Sequence, residues 1–240
     1  MEWTREEIEE LSPILERIQK DLTPLEDKRI LVLCSAAGDV ALWLGERAGG
    51  GKIVGLELDE GLLELSRGRA RERGLEEIIE FRKADRYKIP FADGEFDALV
   101  SEFVLFPTPQ PTEIGQPEMA RGLKPGGKMI LTDVITTRPI PNEAREKLRA
   151  IGLDYLCEAT QEDFRRWMEE AGLVDVEVRD FTLLVEQVWQ ARRDCDPASE
   201  HRAGYRFLLE DAKLRLGKGI FYIYVRGVKP DPEGKDGHTP

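Results

Sequence analysis

Residues 29–46 read RILVLCSAAGDVALWLGE, and the fold turns on this one stretch. RILVLC is an apolar run of strand length, SAAGD is a turn of small residues, and VALWLGERA carries helical spacing up to a stop at Gly49-Gly50-Gly51. A strand that ends in such a turn and opens a helix puts backbone N–H groups and the positive helix end at the sheet's carboxyl edge. Nucleotide-like ligands dock there in doubly wound folds.

Outward from that unit the alternation continues. KIVGLEL, a helix over 60–73 stopped at Gly74, IIEFRKA and FDALVSE follow as strand, helix, strand, strand. Their continuous apolar runs imply parallel strands buried on both faces. LKPGG precedes a fifth strand over 128–134, and Gly126-Gly127 supplies a turn that admits positive φ. Helices are then expected over 142–150 and 160–171, the second with a Thr160 to Asp163 capping box and a Gly172 stop. LVDVEVRDF and IFYIYVRGV supply two late strands, separated by helical stretches over 183–193 and 199–216. Upstream, Ile8, Leu11, Leu15, Ile18 and Leu22 form one stripe of an amphipathic helix over 4–21.

The chain has 240 residues, 41% hydrophobic and 34% charged, enough for one large folded domain. Lys and Arg number 35 against 47 Asp and Glu, and the net charge of −12 argues against a general nucleic-acid binder or an electrostatic membrane binder, leaving room for a local basic patch. Three cysteines without a CxxC pair signal neither a disulfide framework nor a zinc site. With no basic leader and no long apolar run, a cytoplasmic protein is expected, and no metal. Amides are few, one Asn and six Gln, a drift found in thermophilic proteins.

Two acidic positions add chemistry to the turn. Glu57 ends the second strand 19 residues after Gly38, where a carboxylate can accept both hydroxyl protons of a ribose. Asp85 follows the third strand and can accept from the exocyclic amine of an adenine.

Through VLCSAAGD, VGLELDE, KADRYKIPFADGEFDALVSEFVL and LKPGGKMILTD, the chain resembles the class I S-adenosylmethionine-dependent methyltransferases over about residues 28–135, and more faintly to 228. Its nearest look is to the small-molecule or quinone C-methyltransferases and the arsenite methyltransferases. The resemblance implies an α/β doubly wound, seven-stranded, mostly parallel sheet of order 3-2-1-4-5-7-6, its seventh strand antiparallel, with a helical lid between strands six and seven. It implies a single methyltransferase-like domain over 1–229: a helical cover at 1–27, a cofactor core at 28–135, acceptor-side cap segments at 136–160 and 183–218, and a loose tail at 230–240. It further implies S-adenosyl-L-methionine as cofactor, held by Cys34, Ser35, Ala36 and Gly38 in the turn, Glu57 on the ribose, Leu58 beside the adenine, Asp85 and Arg86 at its edge, and Glu102 near the methionine portion.

One departure stands out. The family's turn runs acid, any residue, Gly, any residue, Gly, and here Val32, Cys34 and Ala36 occupy those three positions. A side chain at Cys34 fills room that Gly leaves, and Val32 removes a carboxylate that organises the loop. A non-catalytic binding module on the same scaffold therefore stands as the second reading. An NAD-dependent dehydrogenase shares the turn and the acid but not the GxGxxG spacing, and ranks last.

Methyl transfer is an in-line displacement, so the protein has to align the acceptor, exclude water and, for O–H or N–H acceptors, remove a proton. The loops leaving strands four, five and six should face the acceptor, a small molecule, with Phe103, Phe106, Tyr155, Trp189 and Tyr205 as candidate walls. Candidate catalytic residues are Glu102, His201, Cys157 and Cys195, with Asp133 as an alternative proton acceptor. Cys34, Cys157 and Cys195 all fall on the ligand edge by topology, where thiolates can hold a metalloid such as arsenite. Against that, Ala41 stands where arsenite methyltransferases carry a cysteine after the first turn. A small organic acceptor, quinol-like or an amine, is the broader expectation, and a homodimer is left open.

Overall fold

The computed structural model describes residues 12–33, 37–84, 88–102, 115–149, 156–195 and 202–231. Its strands are β1 (Arg29–Leu33), β2 (Lys52–Glu57), β3 (Ile79–Lys83), β4 (Phe96–Glu102), β5 (Leu123–Thr136), β6 (Cys157–Glu158), β7 (Val174–Asp180) and β8 (Ile220–Val228). They form one sheet of order β3-β2-β1-β4-β5-β8-β7, with β6 paired to β5 off that path. Pairs from β3 through β5 are parallel, and β8 runs antiparallel to both β5 and β7. With the two-residue β6 set aside, this is the expected α/β order 3-2-1-4-5-7-6.

The helices are α1 (Ser12–Leu22), α2 (Asp39–Gly45), α3 (Glu60–Glu72), α4 (Gly115–Gly122), α5 (Asn142–Arg149), α6 (Gln161–Glu170), α7 (Thr182–Cys195) and α8 (Arg202–Glu210). Successive strand side chains go to opposite faces, which explains the unbroken apolar run of β1. Ile30 and Val32 join a core beneath α1, α2, α3, α7 and α8. Leu31 and Leu33 join a second core beneath α4 and α6.

Most element ends fall where local chemistry puts them. Asp59 caps α3 by accepting from Leu62 N at 2.9 Å, and the Thr160–Asp163 capping box opens α6, which Gly172 follows at φ 84°. Two expectations need correction. The helix foreseen over 199–216 ends at Glu210, because the Asp211 carboxylate accepts from Lys213 N and Leu214 N, both at 2.8 Å, and turns the chain there. The fifth strand begins earlier than expected, since Leu123 already pairs with Phe96 ahead of a bulge in the β4–β5 ladder.

A polar cluster ties α1 to β8 on the face they share. The Tyr224 hydroxyl donates to Asp21 Oδ2 at 2.6 Å, and Arg17 Nε donates to the same oxygen at 2.7 Å. Burial alone would raise the Asp21 carboxyl, but these two bonds together with the charges of Arg17 and Arg226 reverse it and hold it below the usual carboxylate range. Burial, reinforced by the bond to Asp21, raises the Tyr224 phenol well above its ordinary value. Replacing Tyr224 by Phe should cost about 1.5 kcal/mol or more, the scale of a bond to a charged group. In Asp21→Asn the loss of melting temperature should be full at neutral pH. It should shrink as pH falls below about 4, because a carboxyl depressed in the folded state contributes stability only above its unfolded value. Thermal melts across pH check both.

Candidate functional site at the carboxyl edge of the sheet

Parallel register brings the strand ends into one line. Leu33 pairs with Leu56 on one side and Ser101 on the other, Glu57 pairs with Lys83, and Glu102 with Thr132. At a spacing of about 4.8 Å per strand, the ends of β2 and β4 flank the β1 end across about 10 Å, the span of a nucleoside.

Gly38 enters α2 with φ 86°, and a Cβ there would come within 2.9 Å of Phe81 Cζ and 3.2 Å of Ser66. Only glycine allows the turn to approach β3 and α3 this closely. Arg69 of α3 fixes the approach, donating to Ala37 O at 2.7 Å and ion-pairing with Asp39 at 2.7 Å. Burial pushes the Asp39 carboxyl above its ordinary range, and Arg69 draws it part of the way back. Sequence reasoning missed both residues. The available signal was an Arg beside the buried stripe Leu63, Ser66 and Ala70.

Glu57 closes β2 with its Oε1 accepting from Leu58 N at 2.7 Å and Asp59 N at 3.0 Å, so the carboxylate is braced by the backbone that leads into α3. Leu58 beside it is 61% exposed, an apolar surface at the crevice with room for a flat ring to cover it. Val32, where the family's acid stands, is 1% exposed and packs in the core with Val40 and Leu63. An apolar residue suits that position, and the Asp39–Arg69 pair organises the turn instead. A glycine that cannot be replaced without strain, a braced carboxylate and an uncovered apolar side chain fit a nucleoside cofactor.

On the other flank, β6 pairs with Ile135 and Thr136 of β5. Because β8 holds the opposite edge of β5 as far as Thr136, β6 takes the side that β4 vacates after Glu102. It therefore stands beyond the end of β4 as a wall of the crevice. Cys157 of β6 is buried, and burial, with Asp133, Asp163 and Glu158 nearby, pushes its thiol up to about 12. At neutral pH it is a thiol, not a thiolate. Asp133 is buried too, its Oδ1 accepting from Val134 N at 2.7 Å.

The remaining predicted residues divide by position. Glu102 ends β4, at the crevice, and Cys195 ends α7. Cys34, Ser35, Ala36, Asp85, Arg86 and His201 lie outside the described residues, as do Phe103, Phe106 and Tyr155. Trp189 lies in α7 and Tyr205 in α8. Among the described residues no group of His, Cys, Asp or Glu is arranged to hold a metal ion, and no helix is long and apolar enough to cross a membrane.

Comparison with known proteins meets this geometry. The family described as "Methyltransferase domain" matches residues 31–131, from β1 into β5. A demethylmenaquinone methyltransferase of Clavibacter sepedonicus is 31% identical over 203 residues, covering 76% of this chain and 79% of that protein. The chain belongs to the class I S-adenosylmethionine-dependent methyltransferases. A second demethylmenaquinone methyltransferase, from Thermus thermophilus, is 40% identical over 106 residues, 44% of this chain and 47% of the relative, so that alignment spans about half of the relative's length. Among solved structures, geranyl diphosphate C-methyltransferase from Streptomyces coelicolor, in complex with Mg2+, geranyl diphosphate and S-adenosyl-L-homocysteine, aligns with a TM-score of 0.74 at 17% identity, covering 91% of this chain and 79% of that one. That likeness shows the fold. S-adenosylmethionine is the cofactor of the family. If Glu57 meets its ribose, Glu57→Ala should weaken S-adenosylmethionine binding more than tenfold, over about 1.4 kcal/mol, by calorimetry. Unchanged affinity would remove the ribose assignment.

Proposed function

We propose that this methyltransferase alkylates a small quinol-like acceptor, a naphthoquinol with an isoprenoid tail of the demethylmenaquinone type. The observation that carries this reading is the relative of that name, aligned over 79% of its length at 31% identity. The cofactor, when bound, supplies an electrophilic methyl on a sulfonium sulfur. Every other requirement falls to the chain. The turn at Gly38, with Cys34, Ser35 and Ala36 before it, takes the amino-acid portion. Glu57 accepts the ribose hydroxyls, Leu58 covers one face of the adenine, and Asp85 with Arg86 meets its edge.

On the acceptor side, we assign the taking or orienting of a hydroxyl proton to Glu102, the last residue of β4, and to Asp133, near the end of β5. Deprotonating the hydroxyl sends electron density into the ring and makes a ring carbon nucleophilic. Segments 136–160 and 183–218 close over the crevice as a cap and exclude water, with His201 of the cap a second candidate base. A cap of this kind is supported by α5, α7 and α8, which share buried Ala144, Leu148, Val185, Val188 and Leu208 in one core. The domain takes in residues 1–229, the cover at 1–27 included. Three cysteines without a CxxC pair, and Cys157 free among the described residues, fit a cytoplasmic setting.

A thiol-assisted reaction on a metalloid is the competing reading, with Cys157, buried in the β6 wall, as its thiol. With labelled S-adenosylmethionine and a reduced demethylnaphthoquinone, label should pass to the quinol, and Cys157→Ser should keep at least about half the rate, since a neutral thiol has no nucleophilic part to lose. Intact cofactor binding without transfer would favour the non-catalytic module. A collapse of rate in Cys157→Ser, with cofactor affinity unchanged, would restore a role for the thiol.

A further inference from the structure

Charge is unevenly spread over this chain. Residues 137–149 and 202–220 carry nine Lys and Arg against four Asp and Glu, although the whole chain stands at −12. The fold draws these stretches together at the carboxyl edge, where Thr137 N donates to Gly219 O at 3.3 Å. Arg138, Lys147 and Lys213 line a cavity of about 380 Å³ shared with Phe207 and Leu214.

The acids of this rim are largely engaged. Glu143 pairs with Lys147 at 3.2 Å, Glu210 with Arg206 at 3.0 Å, and Asp211 accepts from Lys213 N and Leu214 N at 2.8 Å. Glu146 is the exception, and it does not line the cavity. Arg138, Lys213 and Lys218 are exposed and make no side-chain hydrogen bond or ion pair among the described residues. Beside them, Leu183 in the first turn of α7 is 75% exposed. Its neighbour Thr182 places Cγ2 3.8 Å from where a Cβ on Gly217 would lie, next to Lys218. Surplus cations around an exposed leucine suit the boundary between anionic headgroups and acyl chains.

We propose that this rim, formed by 137–141, 211–219 and Leu183, docks the protein on an anionic lipid bilayer with the crevice's mouth toward the membrane. The inference rests on the isoprenoid-tailed acceptor: such a molecule resides in the bilayer, and a rim at the carboxyl edge lets its ring enter the crevice while its tail stays in lipid. The chain-wide negative charge opposes only the rest of the surface, since screening confines each charge to about 8 Å at physiological salt.

Co-sedimentation with vesicles tests the rim without any methyl transfer. The full chain should bind vesicles of phosphatidylcholine with phosphatidylglycerol, release in high salt, and ignore phosphatidylcholine alone. Arg138→Glu combined with Lys213→Glu and Lys218→Glu should weaken binding more than about a hundredfold, at about fivefold per cation removed from the surface. Leu183→Ser should weaken it and leave the salt dependence in place. Glu146→Lys should strengthen it, an outcome that misfolding does not mimic, and unchanged S-adenosylmethionine affinity certifies each variant. Failure of the wild type to bind anionic vesicles, equal binding to neutral ones, or wild-type binding by the triple variant overturns the proposal. Vesicle binding without methylation of the naphthoquinol would instead remove the acceptor assignment and leave the docking surface standing.

Discussion

The closeness of the β1–α2 turn to α3 and β3 is the constraint on which the crevice depends. Gly38 lies so near Phe81 and Ser66 that no side chain fits, and Arg69 bridges the turn's carbonyl at Ala37 and the carboxylate of Asp39. With the turn held down, the end of β1 lies between the ends of β2 and β4, each of which runs one residue further. An extra methyl at position 38 would force the turn away from Phe81 and Ser66. The Asp39–Arg69 pair also accounts for a family member that carries Val at position 32: the loop is organised from its helical side, and the strand is free to be wholly apolar.

The two flanks of that turn differ in character. The β2 side is backbone-braced and polar, with Glu57 fixed by the N–H groups of Leu58 and Asp59. The β4 side is closed by an added strand, β6, whose buried Cys157 thiol lies near the buried Asp133 carboxylate of β5. A polar cradle beside an apolar-walled compartment separates the two tasks of a transferase: one flank can hold a hydroxylated nucleoside while the other keeps water from the reacting carbon. The Tyr224–Asp21–Arg17 cluster anchors α1 on β8, so the sheet's antiparallel strand is tied to the chain's first described helix.

Much of this architecture was legible in the residues. The strand–turn–helix at 29–46, the Asp59 and Thr160 caps and the parallel order through β5 follow from local signals, because apolar period, cap chemistry and glycine stops act within a few residues. Helix α8 was read too long because the Asp211 turn competes with a sequence, AKLRL, that has good helical composition. Strand β6 left no signal at all, since two residues show no period and their pairing with Ile135 and Thr136 depends on β4 ending early.

The amino-acid order alone determined the doubly wound class, the place of the cofactor edge and the candidacy of Glu57, for each rests on near neighbours along the chain. Only the tertiary structure decided that Arg69 and Asp39 govern the turn, that the Cys157 thiol is shut away from ionisation, and that scattered lysines and arginines of a strongly acidic chain gather on one rim. Those outcomes depend on which distant segments meet and how much water they leave between them, and burial and charge are properties of that meeting rather than of any stretch of sequence.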